Sequence, residues 1–171
     1  MTETAILDLG RSRSRAVAQG RAAAIPFTRA AALVAYLGAA PLLAAALALV
    51  VDREAYGHVA TRFLVVYGAA LLIFFGGVRW GVAVMKPEGP SLRALAGAVA
   101  PFAAAMPLAL PGPIDLKLAA IMAFMAALLV DDLNATRRGS GAPAWYLAVR
   151  VPLTVLIEVS FLVALAARLG G

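Results

Sequence analysis

The sequence predicts an all-α membrane protein, a bundle of five transmembrane helices. Of the 171 residues, 63% are hydrophobic and only 14% are charged, whereas a soluble domain carries about 25% charged residues. The apolar residues form runs long enough to cross a bilayer, separated by short links that contain proline, glycine or charge. These runs also lack the polar face that a soluble amphipathic helix shows every 3.6 residues. Lipid is therefore the expected solvent.

The stretch from Tyr67 to Gly81 shows this pattern most clearly. It is apolar for more than two helical turns, then carries paired glycines, and ends with Arg79 and Trp80. Glycines in a membrane helix let a neighbouring helix approach closely, and an Arg-Trp pair is typical of the headgroup region. The stretch is predicted to be the central helix of the bundle.

A basic segment, residues 1–24, precedes the apolar runs. It lacks the continuous apolar core of a secretory signal, and Glu3 and Asp8 count against a mitochondrial presequence. We interpret it as a disordered cytoplasmic tail, with a targeting peptide as the alternative.

The rest of the chain, residues 25–171, is predicted to be a single transmembrane domain. Its five spans lie at about residues 30–51, 61–81, 92–110, 114–131 and 145–168. Pro41 is expected to bend the first span, and Pro101 with Pro107 should make the third the most irregular. Ser91 is a candidate N-cap for that third span, and Pro111-Gly112-Pro113 separates it from the fourth.

The positive charges predict the orientation of the bundle. An odd number of spans puts the two termini on opposite sides. With the N-terminus inside, eleven of the 15 Lys and Arg residues lie on the cytoplasmic side, leaving Arg53, Arg62, Lys117 and Arg168 outside. We therefore expect a cytoplasmic N-terminus, a periplasmic C-terminus and a location in the bacterial inner membrane.

Composition also argues against several functional classes. The chain has no cysteine and a single histidine, His58, so thiolate, iron–sulfur and dedicated metal or haem sites are not expected. The net charge of +6 comes from arginines in the tail and between apolar runs, which does not indicate a nucleic-acid partner. Neither Ser91 nor Ser160 has a histidine or lysine at a matching depth to activate it. We expect no enzyme activity, no catalytic residue and no cofactor.

Four ionisable residues fall near the predicted cytoplasmic interface: Arg79, Asp131, Asp132 and Arg150. Charges at membrane depth need a partner, water or the headgroup region. Three interpretations stay open for this group. Each charge extends to water by itself, the four form an ion-pair network that clamps the helices, or they form an anion or substrate site.

Glu158 lies apart from that group. It follows Arg150 by eight residues, hence about 12 Å deeper along a helix and near the bilayer centre. Desolvation there favours the neutral acid. The structural interpretation is a protonated carboxyl group bonded to a free backbone carbonyl, and the functional alternatives are a proton relay or a contact with a partner subunit.

Small and aromatic residues complete the candidate sites. Gly68, Gly76, Gly77 and Gly81 form a small-residue surface for helix packing, either within the chain or with a partner. Trp80, Trp145 and Tyr146 lie at predicted interface depth and are interpreted as membrane anchors.

Several segments together resemble a known family. They are Tyr-Leu-Gly-Ala-Ala-Pro at 36–41, Tyr-Gly-Ala at 67–69, Gly-Gly-Val-Arg-Trp-Gly at 76–81, an aspartate ending the fourth span, and Pro-Ala-Trp-Tyr at 143–146 followed by Arg150 and Thr154. This pattern is similar to the transmembrane protein 69 family, which includes bacterial inner-membrane proteins with domain of unknown function 3429 and mitochondrial relatives. The resemblance implies a small helical membrane protein without an established activity.

The function we expect is interaction. The chain would serve as an accessory or assembly subunit of a larger membrane complex, for example a respiratory or other energy-transducing one. Its partners would be the lipid bilayer and other membrane subunits or a second copy of itself. The alternative is a small transporter or proton-coupled channel that uses Glu158 and the charges at the cytoplasmic side.

Overall fold

The computed structural model describes residues 29–139 and 142–170, which form five α-helices and one short 3₁₀ helix. The α-helices are α1 (Arg29–Val51), α2 (Arg53–Val84), α3 (Leu92–Ala105), α4 (Ile114–Arg137) and α5 (Tyr146–Leu169). The 3₁₀ helix, Met106–Ala109, follows α3 directly. The predicted tail, residues 1–24, lies outside the described part of the chain.

Helices α1 and α2 are separated by a single residue, Asp52. Its side chain accepts a hydrogen bond from the backbone N–H of Ala55 at 2.9 Å, which caps the first turn of α2. The predicted spans leave residues 52–60 as a polar link between the first two helices. In the structure, residues 53–60 instead form the beginning of α2. Arg53 then donates to the carbonyl oxygens of Ala167 and Arg168, both at 3.3 Å, and ties the start of α2 to the end of α5.

Helix α2 runs through the middle of the bundle and packs against α3, α4 and α5. Two of its glycines lie at the closest contacts. A Cβ added at Gly76 would lie 2.7 Å from the carbonyl oxygen of Ala98 in α3. One added at Gly68 would lie 2.7 Å from the Phe161 ring of α5 and 2.9 Å from Ile121 of α4. Both positions require the absence of a side chain.

Buried apolar side chains from all five helices form one core. Helix α1 contributes Ala39, Leu42, Ala46 and Leu49, spaced three and four residues apart along one face. Large apolar side chains also cover the outside of every helix, including Val34, Val66, Phe102, Phe124 and Leu162. A surface of this kind suits lipid rather than water.

The segment after α2 is irregular, as its prolines predict. Ser91 caps α3 by accepting from the backbone N–H of Ala94 at 3.2 Å. The α-helix stops at Ala105 and becomes 3₁₀ around Pro107. Lys117 of α4 donates to the carbonyl oxygens of Leu108 (2.9 Å) and Leu110, which are left free where the 3₁₀ helix ends.

Four of the helices are long and apolar enough to cross a membrane, which indicates a membrane protein: α1, α2, α5, and α3 together with its 3₁₀ extension. Helix α4 is different because ionisable residues lie at both ends of its apolar run. Asp115 and Lys117 come before the run, and Asp131 and Asp132 come after it. The sequence predicts five spans, and four of the five helices have the length and composition of one.

Candidate functional site

The structure brings together four charged side chains from three helices: Arg79 of α2, Asp131 and Asp132 of α4, and Arg150 of α5. We call these residues the charge cluster. Arg79 is paired with Asp131, and its Nε lies 3.5 Å from Oδ1 of Asp132. Arg150 donates from Nε to Oδ2 of Asp132 at 3.1 Å. The cluster therefore joins the last turns of α2 and α4 to the first turns of α5.

Burial divides the charge cluster into an inner and an outer half. The side chains of Arg150 and Asp132 are 2% and 7% exposed, whereas that of Asp131 is 54% exposed. A buried ion pair costs desolvation of both partners, and its mutual attraction and hydrogen bonds must compensate. Asp132 has three such contacts, because Tyr146 also donates to its Oδ2 at 3.2 Å. Asp132 is therefore the centre of the cluster.

Arg150 has a further contact that the sequence did not reveal. Its guanidinium carbon lies 3.5 Å from the centroid of the Phe75 ring, a cation–π arrangement. Its Nη1 and Nη2 atoms are buried and have no hydrogen-bond partner in the part of the chain that the structure describes. The sequence identifies Arg150 as a charged residue within a span. It does not identify the aromatic ring that Arg150 contacts, because that depends on how the facing helix is rotated about its axis.

Two cavities adjoin the charge cluster. A groove of about 260 Å³ lies beside its outer half, where Lys86, Arg93 and Arg138 add positive charge. A larger cavity of about 500 Å³ lies among α1, α2 and α5, and the side chains of its wall are apolar apart from Arg150, Trp145 and two tyrosines. Tyr146 lines both, so the polar groove and the apolar cavity meet at this residue.

Glu158 is not part of the charge cluster. It lies on α5 eight residues after Arg150, and one carboxyl oxygen is buried without a hydrogen-bond partner among the described residues. No ion pair within residues 29–139 and 142–170 includes it, and it lines neither of the two cavities. Its neighbours Thr154 and Ser160 bond back to carbonyl oxygens of their own helix.

The other predicted residues are distributed between the interior and the surface. Gly68 and Gly76 lie at helix contacts, whereas a Cβ added at Gly77 or Gly81 would meet nothing within 4 Å. Trp80 is 46% exposed, while Trp145 and Tyr146 line the apolar cavity. Within the described ranges no three His, Cys, Asp or Glu side chains are arranged to hold a metal ion.

A second polar site, at the opposite end of α4 and α5, was not anticipated from the sequence. Arg168 at the end of α5 is paired with Asp115 at the start of α4. The sequence does contain a signal for this ion pair. Opposite charges lie at the adjoining ends of two consecutive antiparallel helices, which favours their pairing. With the charge cluster at one end and this pair at the other, α4 and α5 are joined at both ends.

A family model described as "Protein of unknown function (DUF3429)" matches residues 13–166. The chain belongs to this family, so the expected membership in domain of unknown function 3429 is confirmed. No curated protein and no solved structure matches the chain.

Proposed function

We propose that this DUF3429 family member is a five-span protein of the bacterial inner membrane and an accessory or assembly subunit of a larger membrane complex. The observation that supports this function best is the outward face of α2, where a Cβ added at Gly77 or Gly81 would meet no neighbouring helix of the described chain within 4 Å. Small residues on a membrane helix let a second helix approach closely. A partner helix would therefore find a binding surface there.

Large apolar side chains flank the two glycines on α2. Ile73, Trp80 and Val84 are 39%, 46% and 44% exposed. A partner helix that packs over the glycines would also contact these side chains on either side. These contacts add van der Waals packing and need no hydrogen bond or ion pair. We call this surface, Ile73 to Val84 on the outer side of α2, the glycine face.

The charge cluster supports a structural role for the ionisable residues. Its two arginines and two aspartates balance one another, and three helices contribute to it. Charges that are paired within the protein stabilise its fold and are poorly placed to bind an ion in transit. On this interpretation the polar residues stabilise the helix bundle, and the apolar surface binds the partner subunits.

The polar contacts of α4 support its assignment as a fifth span. The helix has 24 residues, or about 36 Å, while the uncharged run from Leu118 to Val130 covers only about 20 Å. Asp115 and Lys117 at one end have partners in α5 and the 3₁₀ segment. Asp131 and Asp132 at the other end have Arg79 and Arg150. Partners of this kind reduce the cost of ionisable groups at membrane depth.

The likeness to transmembrane protein 69 and the distribution of positive charge support the finer points of the proposal. Eleven of the 15 Lys and Arg residues lie on one side when α1 begins in the cytoplasm. In that orientation the charge cluster faces the cytoplasm, and the pair formed by Asp115 and Arg168 faces the periplasm.

Purification in a mild detergent tests the accessory role. We expect the tagged protein to be recovered with a defined set of membrane subunits in fixed stoichiometry, identified by mass spectrometry. A leucine at Gly77 should release them because it fills the glycine face. Val66→Leu, on another outward part of α2, is the matched control and should retain them. Recovery of the parent protein alone, or only with copies of itself, would contradict the proposal.

The alternative function is a small proton-coupled transporter, and Glu158 is the observation in its favour. Its buried, unpartnered carboxyl oxygen is what a group that gains and loses a proton within the membrane would show. Against this alternative, the neighbouring hydroxyls of Thr154 and Ser160 are bonded within α5 and offer no path toward the charge cluster.

Replacing Glu158 with glutamine separates the two functions. Glutamine keeps the shape and the hydrogen-bonding capacity but cannot titrate. We expect Glu158→Gln to insert, associate and melt like the parent from about pH 5 to about pH 8. Glu54→Gln, at an exposed position in the first turn of α2, is the control for the chemical change. A folded Glu158→Gln protein that loses a flux driven by a pH gradient in liposomes would establish the transporter instead.

A further inference from the structure

The apolar cavity among α1, α2 and α5 has the size of a ligand site. Its volume of about 500 Å³ falls within the usual range for small-molecule pockets. Its lining is unusually aromatic, with five such residues in a chain that is 8% aromatic overall: Tyr67, Phe74, Phe75, Trp145 and Tyr146. Aromatic side chains offer flat faces on which a planar ring can stack.

Arg150 gives this cavity hydrogen-bond donors. It lines the cavity, is 2% exposed, and its two terminal nitrogens have no hydrogen-bond partner among residues 29–139 and 142–170. The great majority of buried polar atoms in proteins have a hydrogen-bond partner, so these two nitrogens need an explanation, and an acceptor bound in the cavity would supply one. Both tyrosine hydroxyls of the wall already have acceptors: Tyr67 donates to the carbonyl oxygen of Gly38 at 2.6 Å, and Tyr146 donates to Oδ2 of Asp132 at 3.2 Å. Such an acceptor is therefore expected beside Arg150.

The charges near Arg150 indicate that the acceptor is neutral. Arg79 and Arg150 are balanced by Asp131 and Asp132, and the further positive charge of the cluster's outer groove does not line the apolar cavity. An anionic ligand would add an uncompensated negative charge to a buried site, which is costly. A neutral carbonyl oxygen can accept from the guanidinium without changing the charge balance.

We propose that this cavity binds a lipid-soluble quinone, with a ring carbonyl oxygen accepting hydrogen bonds from Arg150 and the ring stacked among the aromatic side chains. The residues that line the cavity favour a ligand with three properties: an apolar body, a planar ring and a neutral hydrogen-bond acceptor. The proposal depends on the cavity and not on the accessory role, so either one can fail without the other.

The probe is a benzoquinone with a ten-carbon tail, added to the purified protein in detergent. Trp145 lines the cavity and Trp80 does not, so a Trp80→Phe background reports on the cavity alone. Quinones quench tryptophan fluorescence at short range. We expect quenching of Trp145 that saturates at one quinone per protein.

A substitution inside the cavity is compared with one outside it. Gly38 lines the cavity, and a Cβ added there would meet nothing within 4 Å. Val66 does not line the cavity and is 68% exposed on α2. Gly38→Leu should fill the cavity and weaken quinone binding at least tenfold, while Val66→Leu should bind like the parent. Because neither position is closely packed, both variants should melt near the parent temperature.

The role of Arg150 is tested with Arg150→Met combined with Asp132→Leu, which leaves neither buried charge without its partner. We expect at least tenfold weaker binding in this double variant, with the melting temperature as the control for folding. Unchanged binding would show that Arg150 is not the donor. Quenching that never saturates, or that is equal in Gly38→Leu, would overturn the site, and so would a tightly bound ester lipid that the quinone cannot displace.

Discussion

Replacing Asp132 with alanine is expected to cost about 3–5 kcal/mol of folding free energy, the largest loss from one substitution in the charge cluster. The change leaves Arg150 buried at 2% exposure and removes the acceptor of its Nε atom. Within the described ranges, the two terminal nitrogens of Arg150 have no hydrogen-bond partner that could compensate. Thermal unfolding in detergent, followed by circular dichroism, measures the loss.

The neighbouring residue supplies the control. Asp131→Ala removes the same chemical group from a side chain that is 54% exposed, so about 1 kcal/mol or less is expected. Adding Arg150→Met to Asp132→Ala should cost far less than the two single losses together, because the unpaired charge disappears with its partner. Equal effects of Asp131→Ala and Asp132→Ala, or strictly additive losses, would show that the charges act separately.

The second large effect is expected at Gly76. An alanine there would place its Cβ 2.7 Å from the carbonyl oxygen of Ala98, and that atom belongs to the backbone of α3. The two helices must move apart, at a cost of about 1–3 kcal/mol typical of overpacking. The melting temperature in detergent should fall accordingly.

The adjacent glycine is the control for that change. Gly77→Ala adds the same methyl group to the next position of α2 but meets nothing within 4 Å. It should leave stability unchanged or raise it by up to about 1 kcal/mol, since alanine favours the helix over glycine. If both variants melt alike, the close approach of α2 and α3 at Gly76 is wrong.

Much of the fold could be predicted from hydropathy and helix breakers. Pro111-Gly112-Pro113 ends one helical segment and Ser91 begins another, and both effects are local to the chain. The start of α2 could not be located this way. The stretch from Arg53 to His58 is polar enough for a loop, but the Asp52 cap and the contacts of Arg53 with α5 hold it as helix.

The members of the candidate site could be predicted, but their contacts could not. Arg79, Asp132 and Arg150 fall at the same predicted depth, which made an ion-pair network one of the interpretations that the sequence left open. The ring of Phe75 under Arg150 and the hydroxyl of Tyr146 on Asp132 depend on how each helix is rotated about its axis. Spans that are apolar on every side carry little signal for that rotation.

The glycines illustrate the same limit. A small-residue surface on α2 could be predicted from spacing, yet its four glycines divide between contacts with neighbouring helices and the outward glycine face. Only the positions of α3, α4 and α5 around α2 decide which glycine belongs to which group.

The central claim is that α4 crosses the membrane, so that the charge cluster and the pair of Asp115 with Arg168 lie at opposite faces. The chain has no cysteine, so single substitutions at exposed positions before and after α4 can be labelled cleanly. In intact cells, a membrane-impermeant maleimide should label Gly112→Cys from the periplasm and should leave Pro143→Cys unlabelled until the membrane is opened. Labelling of both cysteines from the same side would contradict the five-span bundle.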